Sequence, residues 1–333
     1  MSVSLFSEAV VFEKPGKLTL RQVALEAPKD SHVTVDVLTT GISSGTEKLL
    51  WNGTMPPFPG LAYPLVPGYE AVGVISETGA ACSSKVGTQV FVPGADCYAG
   101  DLRGLFGASA SRLHVPEDRV IPIPQMAPEQ GVLLALAATA MHILTYQYRQ
   151  RHPQTEPQLA ELVDDAPQLI VGHGVLGRLL ARLCLAIGAE APCVWELDER
   201  RRTGAQGYEL IAPDDDQTPM RQHIVDVSGA CGNHFNDLIR RLSKGGKLTL
   251  AGFYQTPVNF DFAPAFMREI SIGIAAEWQA HDLSLVQQLI AASALNLDGL
   301  VSHEFSYDQA ADAYPQAFND PSCLKTILKW SAL

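Results

Sequence analysis

The sequence has no basic stripe, no clustered cysteines and no apolar run long enough to span a bilayer. A net charge of −12 over 333 residues argues against nucleic acid, because a phosphate-binding surface needs a concentration of Lys and Arg. The six cysteines, Cys82, Cys97, Cys184, Cys193, Cys231 and Cys323, form no CxxC pair. Such spacing suits reduced thiols in a cytoplasmic protein. Met1 to Leu20 carries Glu8, Glu13 and Lys14 and lacks a signal-peptide core. The longest apolar run, Gly131 to Leu144, reads as a buried helix. With 47% hydrophobic residues there is enough apolar material for two cores.

What is present centres on Leu169-Ile170-Val171-Gly172-His173-Gly174-Val175-Leu176-Gly177, three glycines at dinucleotide-binding spacing between an apolar strand and an amphipathic helix. Gly172 allows the tight turn, Gly174 lets backbone approach a pyrophosphate, and Gly177 lets the helix pack closely on the sheet. The positive end of the helix dipole then faces the phosphates. Leu179, Leu180, Leu183 and Ile187 recur at the spacing of one buried helical face, and Gly188 ends it. A second strand, Cys193-Val194-Trp195, delivers Glu196 about twenty residues after the last glycine, where an acidic side chain reads the adenosine ribose. The alternatives are an ordinary strand-to-helix turn for the glycines and a solvated strand end for Glu196.

Before this turn the chain reads as short β segments such as Val33 to Leu38 and Ala71 to Ile75, separated by Gly and Pro. Polar, proline-bearing sequence from Arg149 to Pro167 marks a connection between halves. Ile224 to Gly229 and Lys247 to Gly252 continue a helix–strand alternation after it, the pattern of a doubly wound sheet.

This order, together with Gly41-Ile42-Ser43-Ser44-Gly45-Thr46-Glu47, Pro67-Gly68-Tyr69-Glu70 and Thr139-Ala140-Met141-His142, resembles the medium-chain dehydrogenase/reductase superfamily over almost the whole chain. The resemblance implies an α/β protein: a β-rich GroES-like catalytic domain at 1–145 and 290–333, and a doubly wound, parallel-sheet Rossmann NAD-binding domain at 146–289. Its implied cofactor shell is Gly172, His173, Gly174, Val175, Leu176, Gly177, Glu196, Arg201, Thr139, Ser228 and Gly252. At a finer level, the same segments and Pro264-Ala265-Phe266-Met267-Arg268-Glu269 resemble the branch that lacks the zinc motif and oxidises the 1-hydroxyethyl group of a bacteriochlorophyll precursor to acetyl.

Zinc-dependent members place cysteine and histidine where this chain has Ser44 and Tyr69, and a third ligand near Ala135. Hydroxyls do not replace thiolate and imidazole as tight zinc ligands, and Cys97 stands alone where a structural zinc lobe needs four cysteines. No metal is expected. Ser44, Thr46, Tyr69 and Glu70 are the candidates for the polar, catalytic end of the site, with Thr46 best placed to pass a proton. Tyr69 would need its pKa lowered by roughly three units, about 4 kcal/mol, to act as phenolate near neutral pH. A buried ring with one hydrogen bond is its other reading, and a bracing role is the other reading of Glu70.

Oxidation without a metal is reasonable for that substrate, since the carbinol carbon adjoins a conjugated ring that spreads the charge left by departing hydride. A chlorophyllide-type tetrapyrrole needs an apolar cleft, for which Trp51, Met55, Phe58, Tyr63, Phe106 and Trp278 are candidates, with Arg103, Arg112 or Arg268 for a propionate. Glu196 favours NAD over NADP, although Arg200, Arg201 and Arg202 complicate the choice. The resemblance implies a homodimer, and an apolar pigment implies work beside a membrane without insertion. A zinc-free, NADPH-dependent quinone or enoyl reductase and a non-catalytic nucleotide- or pigment-binding protein are the other functions compatible with the sequence.

Overall fold

The computed structural model describes residues 5–57, 59–229, 234–254 and 256–330. In chain order the strands are β1 (Phe6–Lys14), β2 (Lys17–Ala24), β3 (His32–Ile42), β4 (Leu65–Val66), β5 (Ala71–Thr78), β6 (Gln89–Val92), β7 (Arg103–Gly104), β8 (Arg112–Pro116) and β9 (Ile121–Pro122). They continue with β10 (Leu169–Val171), β11 (Cys193–Trp195), β12 (Glu209–Ile211), β13 (Arg221–Asp226), β14 (Leu242–Leu250), β15 (Ser271–Ile274), β16 (Val301–Ser306) and β17 (Lys325–Lys329). The helices are α1 (Thr46–Asn52), α2 (Pro128–Gly131), α3 (Leu134–Arg151), α4 (Val175–Ala186), α5 (His234–Arg240), α6 (Phe262–Arg268), α7 (Ala280–Ala291) and α8 (Ala310–Asn319).

The chain divides into two compact units, Met1–Ala135 with Asp298–Leu333, and Leu136–Leu297. The first holds a four-stranded sheet, β2-β1-β4-β7, and a seven-stranded one, β16-β17-β3-β5-β6-β9 with β8 on β3. β3 is the strand that organises its polar site. β17 lies antiparallel on one side, with Ile327 opposite Gly41, and β5 lies antiparallel on the other, with Ala71 opposite Thr40. The C-terminal segment therefore reaches the residues just before β5 across a single strand. Val33, Val35, Val37, Ile75, Leu113 and Tyr314 are among the side chains that fill this unit's core.

The second unit is a six-stranded sheet of order β12-β11-β10-β13-β14-β15, parallel at every pair. The order reverses direction between β10 and β13. In open parallel sheets such a switch point leaves a crevice at the carboxyl ends of the strands. β10 and β11 are apolar, as expected for central parallel strands covered on both faces. The helical stretch Pro128–Arg151 is long and apolar enough, by length and composition, to cross a membrane, yet most of it is buried inside the protein as a core helix is.

Candidate active site

The glycine turn is built as its sequence requires. Gly172 leaves β10 with φ 106°, in the left-handed region where a side chain is strained, and a Cβ there would lie 3.0 Å from Ser228 Cα. Gly177 sits in the first turn of α4, where a Cβ would stand 1.9 Å from the Gly172 carbonyl oxygen. Gly174, the N-cap of α4, has no atom within 4 Å of the point a Cβ would occupy, so open space lies before the helix end. A close-packed turn with one open face at a helix N-terminus suits a pyrophosphate. Val175 is buried and Leu176 half-buried, so they contribute backbone there and anchor the helix.

Glu196 follows β11 and its carboxylate accepts two backbone hydrogen bonds, from the His173 N–H at 3.0 Å and the Asp198 N–H at 2.9 Å. It is therefore fixed beside the turn. Arg200 is engaged with Asp198 through Nε at 2.9 Å and Nη2 at 2.7 Å. His173 is fully buried and its Nδ1 lies 2.8 Å from the Arg201 carbonyl. At the end of β13, Ser228 donates through N–H and Oγ to Asp226, and Gly252 N–H donates to the Asp226 carbonyl. Ser228 and Gly252 thus rim the carboxyl ends of β13 and β14. Thr139 lies half-buried in α3.

In the first unit, Tyr69 donates to Ser43 Oγ at 2.7 Å, and Phe106 packs edge-on against its ring with centroids 5.3 Å apart. Burial raises the Tyr69 pKa further from neutrality, the Glu70 charge adds to it, and contacts with Ser43 and Thr46 only partly offset them. Tyr69 is a neutral phenol here. Ser43 is buried whereas Ser44 is exposed, so the first serine of the pair, not the second, meets Tyr69. Thr46 opens α1 beside them.

Glu70 is fully buried and paired with Lys325, whose Nζ also donates to the Ile42 carbonyl at 3.3 Å. Burial pushes the Glu70 carboxyl upward in pKa and the ammonium pulls it back. Glu47 is also fully buried, with Oε1 accepting the Ser43 N–H at 3.1 Å and Tyr314 facing its carboxyl. Lys325 and Glu47 were not among the sequence candidates. Glu47 stood inside the quoted glycine-threonine-acid motif, whereas nothing local marked Lys325.

The candidate cleft residues fare differently. Trp51, Met55, Tyr63 and Phe106 pack on the first unit's core, Trp51 edge-on to Phe12. Arg112 is salt-bridged to Asp36 and Arg268 donates to the backbone carbonyls of Leu242, Pro264 and Arg240. Phe58 lies outside the described residues.

Residues 29–125 match the alcohol dehydrogenase GroES-like domain. The chain is 48% identical over 97% of its length, and 98% of the relative's, to the 2-desacetyl-2-hydroxyethyl bacteriochlorophyllide A dehydrogenase of Rhodobacter capsulatus. The chain belongs to that dehydrogenase family, within the medium-chain dehydrogenase/reductase superfamily. Among solved structures it resembles an alcohol dehydrogenase of Escherichia coli CFT073 complexed with NADH, at 21% identity and TM-score 0.77, covering 98% of this chain and all of that one. It also resembles a zinc-binding dehydrogenase of Sinorhizobium meliloti 1021 bound to NADP, at 18% identity and TM-score 0.76, covering 97% and 99%. These two likenesses establish the fold. Tyr69 is bonded to Ser43 and the Glu70 carboxylate is held by Lys325, and among the described residues no three His, Cys, Asp or Glu side chains gather as a metal-binding group.

Proposed function

We propose that this protein oxidises the 3-(1-hydroxyethyl) group of a bacteriochlorophyllide to 3-acetyl, with NAD as the hydride acceptor and without catalytic zinc. The observation that carries the reading is the 48% identity, nearly end to end, with a dehydrogenase named for that substrate. In this reading residues 1–145 with 290–333 form the catalytic domain and 146–289 the nucleotide-binding domain. The protein works in the cytoplasm, as a homodimer and beside the membrane into which its pigment partitions.

The glycine turn would hold NAD, which would supply the hydride acceptor for the carbinol carbon. The open space at Gly174 and the N-terminus of α4 would hold its pyrophosphate, and Glu196 would accept the adenosine ribose hydroxyls while repelling a 2′-phosphate. Val175, Leu176, Ser228 and Gly252 complete the rim, with Thr139 approaching from α3. Ser43, Thr46 and Tyr69 orient the substrate hydroxyl and relay its proton through their hydroxyls to bulk water. Because Tyr69 is held as a neutral phenol, it donates and relays rather than abstracts. Glu70, balanced by Lys325, braces this cluster. The zinc-free reading is supported by the donor set, since hydroxyl oxygens and a lysine-bound carboxylate make a poor tetrahedral site.

The test is anaerobic incubation of purified, metal-analysed protein with NAD and 3-(1-hydroxyethyl)bacteriochlorophyllide a, following pigment absorption and NADH together. Stoichiometric acetyl product and NADH from zinc-free protein is the expected result. Binding of both ligands without turnover would remove the assignment, and a preference for NADPH with turnover of small quinones would identify a reductase.

A further inference from the structure

Dinucleotide binding uses backbone, not a side chain, at the second position of a glycine turn, so the buried histidine there calls for a separate explanation. The Arg201 carbonyl can only accept, so His173 Nδ1 carries the proton, and Nε2 accepts the Tyr208 hydroxyl at 2.7 Å. The ring therefore bridges the turn to Arg201 and Tyr208 in the segment that follows β11. Arg178, one turn into α4, closes the same segment from the other side. Its Nε donates to the His173 carbonyl at 3.1 Å, Nη1 to the Gly204 carbonyl at 3.3 Å and Nη2 to the Arg201 carbonyl at 3.2 Å. The His173 backbone N–H is meanwhile one of the two donors holding Glu196. Turn, helix and arginine-bearing segment are locked into one arrangement by the bonds of His173 and Arg178.

We propose that His173 is a specificity-determining positioning residue, which holds Glu196 through its backbone N–H and the Arg201 backbone through its ring, so that a carboxylate, rather than a guanidinium, meets the 2′ position of the dinucleotide's adenosine ribose. Burial pushes the imidazole down to about 4, so it stays neutral at working pH and adds no charge that would welcome a phosphate. Loss of the ring loosens the backbone around Arg201 and Arg202, and their charges can then turn toward NADP. The proposal rests on the NAD reading above.

Dissociation constants for NADH and NADPH, measured by nicotinamide fluorescence on the full chain, separate the two ideas. Wild-type protein that binds NADPH as tightly as NADH overturns the NAD reading itself. Given tighter NADH binding, His173→Ala is expected to shrink the NADH-over-NADPH preference about tenfold. His173→Asn, which can place an amide N–H near the Nδ1 position, should keep the preference within about threefold of wild type. Tyr208→Phe removes one hydroxyl and tests the lock with minimal risk to folding, and it should fall between them. If the ratio is unchanged in both His173→Ala and Tyr208→Phe, with the two cofactors weakened equally or not at all, His173 has only a structural role.

Discussion

Lys325 Nζ stands 2.9 and 2.7 Å from the two carboxylate oxygens of Glu70, over the strand position occupied by Gly41. A Cβ on residue 41 would lie 2.1 Å from Glu70 Oε2, so the pair occupies the space that a missing side chain leaves. Both partners are buried, and removal of one strands the other's charge away from water. Lys325→Met is expected to cost about 3–5 kcal/mol, while Lys325→Met with Glu70→Leu should recover most of it because neither charge remains. Thermal melting of the two variants checks this, and equal loss in both would show that packing, not charge, is what the pair supplies.

Glu47 makes the stability of the protein depend on pH in the direction opposite to an ordinary carboxylate. Burial raises its pKa from 4.5 to about 8, with the Ser43 N–H opposing and the Glu70 charge adding to the rise. Tyr314 from α8 and Lys325 from β17 face it and pull the value down. Below 4.5 the carboxyl is protonated folded and unfolded; as pH rises toward 8 the unfolded chain releases the proton and the folded one retains it. Stability therefore falls across this window, by at most about 1.4 kcal/mol per pH unit from this group. Glu47→Gln keeps an acceptor for Ser43 and removes the titration. Its loss of melting temperature between pH 5 and pH 8 should be smaller than that of the wild type, and parallel curves would assign the pH dependence elsewhere.

The parts of the site that were legible in the sequence are those made by neighbours in the chain. Gly172, Gly174 and Gly177 lie within one turn, and the strand before them and helix after them have the period of their own burial. Glu196 was legible because β11 puts it at a fixed distance from that turn. Pairings across the sheet were not. Lys325 reaches Glu70 through the antiparallel register of β17 on β3, which no local pattern encodes. Which serine meets Tyr69 depends on which residue faces inward as β3 ends, and that residue is Ser43, which the motif spacing did not single out. Trp51 and Tyr63 pack on the first unit's core while part of each stays exposed, an arrangement set by neighbours distant in sequence.

Gly174 and Gly177 give the glycine turn its sharpest test, because alanine should affect them for different reasons. At Gly174 the backbone has φ −74° and ψ −170°, which any residue adopts, and no atom lies within 4 Å of a new Cβ. Gly174→Ala should therefore change stability by no more than about 0.5 kcal/mol. The added methyl nevertheless stands in the space offered to the pyrophosphate, and NADH affinity should fall at least about tenfold. At Gly177 alanine gains about 1 kcal/mol of helix propensity, but its Cβ meets the Gly172 carbonyl oxygen at 1.9 Å and Val227 Cγ2 at 3.3 Å. A backbone carbonyl in a tight turn cannot swing aside as a flexible side chain does, so the clash outweighs the gain and Gly177→Ala should lose about 1–3 kcal/mol or more. Thermal melting and NADH titration of both variants separate these effects. A Gly174→Ala protein that binds NADH as tightly as wild type would move the pyrophosphate away from this turn, whatever the stability of its neighbour.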